Sequence, residues 1–253
     1  MKRLAFLLAT VLAVPAATFA YSQSAEAASV TGDQILEAVD KRAAAFPDQT
    51  YTAVMEVWRD GSKQKTLEFD MKMKDMTMQF ISFTKPGDVA GMKILMTDPD
   101  TIYMYSPEFK KVRRIAAHTK SQGFLGSEFT PEDMSQTNLS KLFNARLDGK
   151  SGTETTLTLT PKEGVESTFS KIELVIDSSK GGVTTLRYFD GAGNHVRTQS
   201  REGWTTIKDQ PFPTTIRMKN LKTGAETVIQ LTDIDVDTVV DDSLFSRRTL
   251  LRG

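Results

Sequence analysis

From Thr31 onward the spacing of hydrophobic positions changes twice. Ile35, Leu36, Val39, Ala43 and Phe46 recur at helical intervals behind Thr31-Gly32-Asp33-Gln34, and Pro47 ends the run. The first four residues fit a capping box, in which a hydroxyl and an amide side chain each satisfy a free N–H at the helix start, so one amphipathic helix is predicted. From Tyr51 the period becomes two. Tyr51, Ala53, Met55 and Val57 alternate with other residues, Arg59-Asp60-Gly61-Ser62 turns the chain, and Leu67, Phe69, Met71 and Met73 alternate with Glu68, Asp70, Lys72 and Lys74. This is the pattern of antiparallel strands. Met76, Met78 and Phe80 extend a third strand as far as the Pro86-Gly87-Asp88 break, and shorter strands are predicted over 94–96, 101–105 and 110–115.

Between Ala116 and Phe143 the alternation stops. Thr130 is placed to cap a helix, Pro131 suits its first position, Glu132 and Asp133 suit its positive end, and Leu139, Leu142 and Phe143 predict a second short helix. Strands return over 155–161, 171–177, 184–189, 195–202, 206–207, 214–221 and 228–234. That gives about eleven strands joined by connections too short for parallel crossovers, hence an antiparallel sheet large enough to curl, split or close into a barrel. No linker or internal repeat divides it, so residues 28–253 read as a single domain.

The first residues change the compartment. Met1-Lys2-Arg3, an apolar run over 4–14, Pro15 and a small-residue stretch have the layout of a secretory signal peptide over 1–27, cleaved after Ala20 or Ala27. The apolar run is far shorter than the ~20 residues that span a bilayer, which predicts a soluble periplasmic product. The 253 residues contain no cysteine, so disulfides, thiolate metal sites and a lipid-modified cysteine are excluded. Lysine plus arginine equals aspartate plus glutamate at 32 each, which gives no reason to expect nucleic acid as a partner.

Catalytic signals are sparse. His118 and His195 are far apart and lack carboxylates at metal-ligand spacing, and no zinc-protease, nucleophile-elbow or phosphate-loop motif occurs. Gly191-Ala192-Gly193 reads as a hairpin turn. No cofactor is expected and the chain reads as a non-enzyme, with an envelope hydrolase using two of its carboxylates as a minor alternative.

Methionine is concentrated: eight of eleven fall between Met55 and Met104. Unbranched thioethers repack at little cost, so these residues are either a Met-rich core or the lining of a cavity whose apolar occupant varies in shape. Trp58, Phe69, Met71, Met73, Met78, Phe80, Met96, Tyr103 and Tyr105 are the expected lining. The densest positive patch, Lys110, Lys111, Arg113 and Arg114, is either a charged strand that protects a sheet edge or a contact for an anionic headgroup or acidic partner. In Gly123-Phe124-Leu125-Gly126-Ser127-Glu128-Phe129, the residues Phe124, Leu125 and Phe129 either pin a loop over the core or belong to a lid hinged at its glycines.

The stretches Met104-Tyr105-Ser106-Pro107, Lys111-Val112-Arg113-Arg114-Ile115 and Gly123-Phe124-Leu125-Gly126-Ser127-Glu128-Phe129-Thr130-Pro131-Glu132-Asp133 resemble the signature of the outer-membrane lipoprotein-sorting family, the LolA/LolB-like proteins. Phe189-Asp190, Met218-x-Asn220 and the segment from Asp241 to Arg248 agree with it as well. The resemblance implies an unclosed β-barrel: a strongly curved antiparallel sheet wrapped round a helical plug. It also implies a periplasmic carrier that shields lipid or lipoprotein acyl chains during traffic to the outer membrane, touches membranes transiently, and belongs to a less characterised branch that often accompanies inner-membrane RND-type exporters. A rival reading within the same fold is an exporter adaptor whose cavity is filled by its own side chains.

Overall fold

Thr31 opens the first helix as its capping box predicts: the Thr31 hydroxyl accepts from Gln34 N at 3.2 Å, and the Gln34 side chain accepts from Thr31 N at 2.9 Å. The structure is a computed structural model that describes residues 30–98, 101–115, 123–135 and 138–251. The stretch expected to be a signal peptide, residues 1–27, and His118 therefore lie outside the described residues.

Helix α1 (Gly32–Ala43) leads into β1 (Asp48–Arg59), β2 (Ser62–Lys74), β3 (Met78–Lys85), β4 (Lys93–Asp98), β5 (Thr101–Ser106) and β6 (Lys111–Arg114). Two short helices follow, α2 (Pro131–Ser135) and α3 (Leu139–Leu142), at the positions predicted for them. The chain then forms β7 (Phe143–Ser151), β8 (Glu154–Pro161), β9 (Lys171–Asp177), β10 (Gly182–Phe189), β11 (His195–Ile207), β12 (Gln210–Asn220) and β13 (Glu226–Asp235), and ends in α4 (Arg247–Leu250). All thirteen strands join one antiparallel sheet, in the order β6-β5-β4-β3-β2-β1-β13-β12-β11-β10-β9-β8-β7. β6 and β7 do not pair with each other, so the sheet is mainly β in class and unclosed.

Two differences from the expected element map have local causes. β7 was not anticipated: Phe143, Ala145 and Leu147 alternate for only three positions before Asp148-Gly149-Lys150, a composition that imitates a loop. Segments 195–202 and 206–207 are one strand, because β11 runs unbroken through Gly203 paired to β12.

Cross-strand register assigns the two faces of the sheet. Gln49, Tyr51, Ala53 and Met55 of β1 stand opposite Met73, Met71, Phe69 and Leu67 of β2, and these continue to Gln79, Ile81 and Phe83 of β3. That inner face holds one cluster with Phe69, Met71, Met73, Ile94, Met96 and Ile102, and another across β7–β12 with Leu157, Leu159, Ile172, Leu174, Leu186 and Met218. Helix α1 covers the second cluster with Leu36, and its position is fixed by two carboxylates: Asp33 accepts from Ala145 N at 2.6 Å, and Asp40 accepts from Leu139 N and Ser140 N at 3.1 and 2.6 Å.

The methionine-rich strands do not present one common face. The turn between β2 and β3 sets Met78 opposite Lys74 and Phe80 opposite Lys72, which places Met78, Phe80, Tyr103 and Tyr105 on the outer face. There Val240, Phe245 and Leu250 of the C-terminal segment cover them, and Arg247 lies 4.9 Å from the Tyr103 ring.

The carboxylates of the 123–133 stretch act as fasteners. Glu128 accepts from Arg59 at 3.3 Å and Asn220 at 2.9 Å, and its N–H donates to Thr227 Oγ1 at 2.9 Å. Glu132 accepts from Ser167 and Thr168. Asp133 pairs with Arg197 at 2.6 Å with both side chains nearly inaccessible, and the guanidinium lies beside the packed Tyr188 and Phe169 rings, 5.2 and 5.3 Å from their centroids. A buried pair of this kind contributes little net stability while intact but is costly to break, because the surviving charge loses its partner in a place water reaches poorly. Arg197→Met is therefore expected to lower unfolding free energy by about 3–5 kcal/mol, measured from the urea midpoint, and adding Asp133→Leu is expected to recover part of that loss. A change within about 1 kcal/mol for the single variant would show that the pair does not hold the 123–133 stretch to the sheet.

Candidate functional site

The inner face is not fully covered. Between its two clusters a cleft of about 410 Å³ opens under the C-terminal half of α1, bounded by β1, the ends of β9 and β10, and the β11–β12 hairpin. β1 and β9 are five strand positions apart, roughly 24 Å in a flat sheet at the usual spacing of about 4.8 Å, so a curled sheet is needed for both to line one cleft.

Each wall has a local origin. Ile35 and Val39 are the apolar stripe of α1 left over once Leu36 enters the core. Arg42 reaches across and donates to the Gly181 carbonyl, which ties the end of the helix to the β9–β10 turn. Trp204 packs against Gly182, where an added Cβ would stand 2.7 Å from the indole ring, and its Nε1–H donates to the Arg201 carbonyl at 3.0 Å. Phe212, which stands opposite Thr205 between Pro211 and Pro213, closes the hairpin side. Tyr51 and Met76 form the far wall, the Tyr51 hydroxyl donating to Met71 Sδ at 2.9 Å. Burial pushes the Tyr51 phenol well above its ordinary pKa, so the hydroxyl stays neutral.

Ile35, Val39, Ile176, Trp204, Phe212 and Ile216 are all only half-buried, although each points into the same space. A continuous apolar wall wetted in this way is the signature of a binding groove, since isolated exposed apolar residues are ordinary but contiguous ones are not. A second cleft of about 510 Å³ on the outer face, between Lys72 and the 238–249 stretch, is lined mostly by hydroxyl and charged residues and lacks such a wall.

None of the residues expected to line a cavity borders the apolar cleft. Phe69, Met71, Met73 and Met96 are buried in the packed inner cluster of β1–β5. Met78, Phe80, Tyr103 and Tyr105 lie on the outer face under the C-terminal segment. Trp58 also faces outward, its indole N–H donating to Glu56 at 3.2 Å and Lys63 lying 5.9 Å from its ring. Phe124 and Leu125 pack on the β1–β5 cluster, with Phe124 6.1 Å from Phe83, while Phe129 packs on the cluster beside α1. Their loop is fastened at several points: Phe124 N–H donates to Phe129 O at 2.7 Å, Lys65 to Leu125 O at 2.6 Å and Arg59 to Gly126 O at 3.0 Å. Gly123 is needed for close approach, since a Cβ there would lie 2.0 Å from Ser127 O. Lys110, Lys111, Arg113 and Arg114 are exposed along and before edge strand β6. Among the described residues no group of three or more His, Cys, Asp or Glu is placed to hold a metal.

The residues that do form the cleft were readable only in part. Trp204, Phe212 and the flanking prolines are apolar residues near a hairpin tip, where solvated strands carry none, and that was the available signal.

Comparison with known proteins agrees with this architecture. A family model described as an uncharacterized protein matches residues 75–252. Among solved structures, a DUF1329 family protein from Desulfovibrio piger superposes with a TM-score of 0.79 at 23% identity, over 86% of this chain and 97% of that one. A putative outer membrane lipoprotein-sorting protein domain from Vibrio parahaemolyticus gives 0.78 at 24% identity over 87% and 98%, and a LolA superfamily protein from Nitrosomonas europaea gives 0.72 at 20% over 87% and 99%. No curated protein matches. The chain belongs to the family that this model describes, and its fold is that of these three solved proteins.

Proposed function

We propose that this protein is an exported, periplasmic carrier that holds the apolar chain of a lipid or lipoprotein in the cleft between α1 and the inner face of the sheet, and that it acts as a binder and not as an enzyme. The observation that carries the reading is the wall of half-buried apolar side chains facing one 410 Å³ space. An adaptor filled by its own side chains would have no such wall. The need for a carrier is plain: each buried CH₂ is worth about 0.8 kcal/mol, so a chain of ~16 carbons resists free passage through water by more than ~10 kcal/mol. No helix among the described residues is long and apolar enough to cross a membrane. The basic residues of the β5–β6 hairpin, with exposed Phe109 beside Arg113, give the carrier a surface for transient contact with an anionic membrane.

Two outcomes follow. An uncharged fluorescent probe such as N-phenylnaphthylamine is expected to bind saturably, and Ala43→Trp, placed on the exposed flank of α1 at the cleft, is expected to weaken binding about tenfold or more, whereas Tyr105→Ala on the outer face leaves it unchanged. Loss with Tyr105→Ala and none with Ala43→Trp would move the site to the methionine-rich strands. In vesicle sedimentation, replacing Lys110, Lys111, Arg113 and Arg114 by Gln is expected to reduce retention on anionic vesicles at low salt without changing the fold, since about 1 kcal/mol per basic residue near the surface is at stake and salt screens it. Equal retention would leave β6 as a protected sheet edge and nothing more.

A further inference from the structure

One residue of the apolar cleft is out of place. Arg201 occupies an inner-face position of β11, opposite Ile216, and its side chain lines the cleft together with Trp204, Phe212 and Ile216. It is half-buried, yet among the described residues no carboxylate pairs with its guanidinium and the guanidinium donates no hydrogen bond; the neighbouring polar group that it feels is the Tyr188 phenol, itself neutral in its buried position. Every other buried or half-buried arginine described on the sheet's β11–β12 arm has a carboxylate: Arg197 has Asp133, and Arg217 has Glu202 and Glu226. A guanidinium stays charged in a protein, and burial pulls the pKa of this one below its ordinary value, which means that its charged form lacks the solvation it would have in water. The rest of the wall adds to the imbalance. Arg42 stands at the mouth, and no aspartate or glutamate lines the cleft.

We propose that the cleft is selective for a single-chain amphiphile with an anionic head, whose carboxylate or phosphate is received by the Arg201 guanidinium while its chain lies along Trp204, Phe212, Ile176 and Val39. This deepens the carrier reading and rests on it. The planar guanidinium offers a fork of donors matched to carboxylate and phosphate oxygens, and the apolar surroundings strengthen that attraction relative to water. The space, about 410 Å³ and open to solvent, has room for a chain the length of a medium fatty acid.

The test is displacement of N-phenylnaphthylamine from the full-length mature protein by dodecanoic acid and by dodecanol, which share a chain and differ in the charge of the head. At about pH 8 a carboxylic acid with a pKa near 4–5 is ionised, and the wild-type protein is expected to bind dodecanoate at least about tenfold more tightly than dodecanol, the factor expected for a hydrogen-bonded charge contact. Arg201→Gln is expected to erase the preference while leaving dodecanol binding in place, and Arg201→Lys to retain part of it. The wild-type preference is also expected to fade as the pH falls through the ligand's own pKa, a readout that requires no variant to fold. Equal affinities in the wild type, or a preference that survives Arg201→Gln, would overturn the anionic-head inference and leave the carrier reading standing. Displacement by neither ligand, with no probe bound at the start, would remove both.

Discussion

The architecture depends on one constraint: an antiparallel sheet of thirteen strands that does not close has an inner apolar face larger than the elements available to cover it. Each uncovered aliphatic side chain weakens the domain by the transfer free energy it fails to gain, so the chain must supply cover from loops and helices. It does so unevenly. Over β1–β5 the 123–129 loop and the side chains of Val89 and Met92 fill the space, and over β7–β12 the helices α1 and α3 do the same. Where these two covers meet, none of the described residues covers the sheet, and the cleft is what remains. Its position follows from where α1 is anchored: Asp33 in the first turn and Asp40 in the last hold the helix to β7 and α3, Arg42 ties its end to the β9–β10 turn, and Ala38 and Ala43 border the gap.

The same constraint explains why the most recognisable stretch of the sequence lies outside the cleft. Glu128, Glu132 and Asp133 belong to that stretch, and each carboxylate is occupied in fastening the loop and α2 to distant parts of the chain. A polar junction that buries Arg197 beside two aromatic rings is an expensive way to hold a loop, but its directional bonds fix the loop's register in a way that apolar packing alone does not.

The period of the hydrophobic positions was enough to read α1, the two short helices after Thr130, most strands and an antiparallel sheet; that the sheet stays unclosed was implied only by the family resemblance. The period failed for β7, whose alternation is short and interrupted by Gly149, and for the face assignment of the methionines. Alternation tells which residues of one strand share a face; it does not tell how that face continues into the next strand, because a turn of one residue more or less inverts the relation. The Asp75-Met76-Thr77 turn sends Met71 and Met73 inward but Met78 and Phe80 outward, and no pattern within either strand records this. The cleft was harder still to read. Its residues come from a helix flank, a strand-end turn and a hairpin arm, three places that are neighbours only because the sheet curls. Arg201 belongs to a run of inner-face polar residues, Arg197, Gln199 and Arg201, whose outward neighbours Thr198, Ser200 and Glu202 are polar as well, so the sequence of β11 offers no contrast between faces.

Site-resolved photocrosslinking tests the central claim, that the uncovered gap beside α1 is where an apolar chain resides. A diazirine-bearing fatty acid would be bound to the mature protein, irradiated, and its adducts mapped by peptide mass spectrometry. The account predicts modification within residues 35–46 of α1 and its exit and within 201–216 of the β11–β12 hairpin, competed away by unlabelled fatty acid. Adducts confined to 67–83 or 123–129, the methionine-rich strands and the fastened loop, would contradict it.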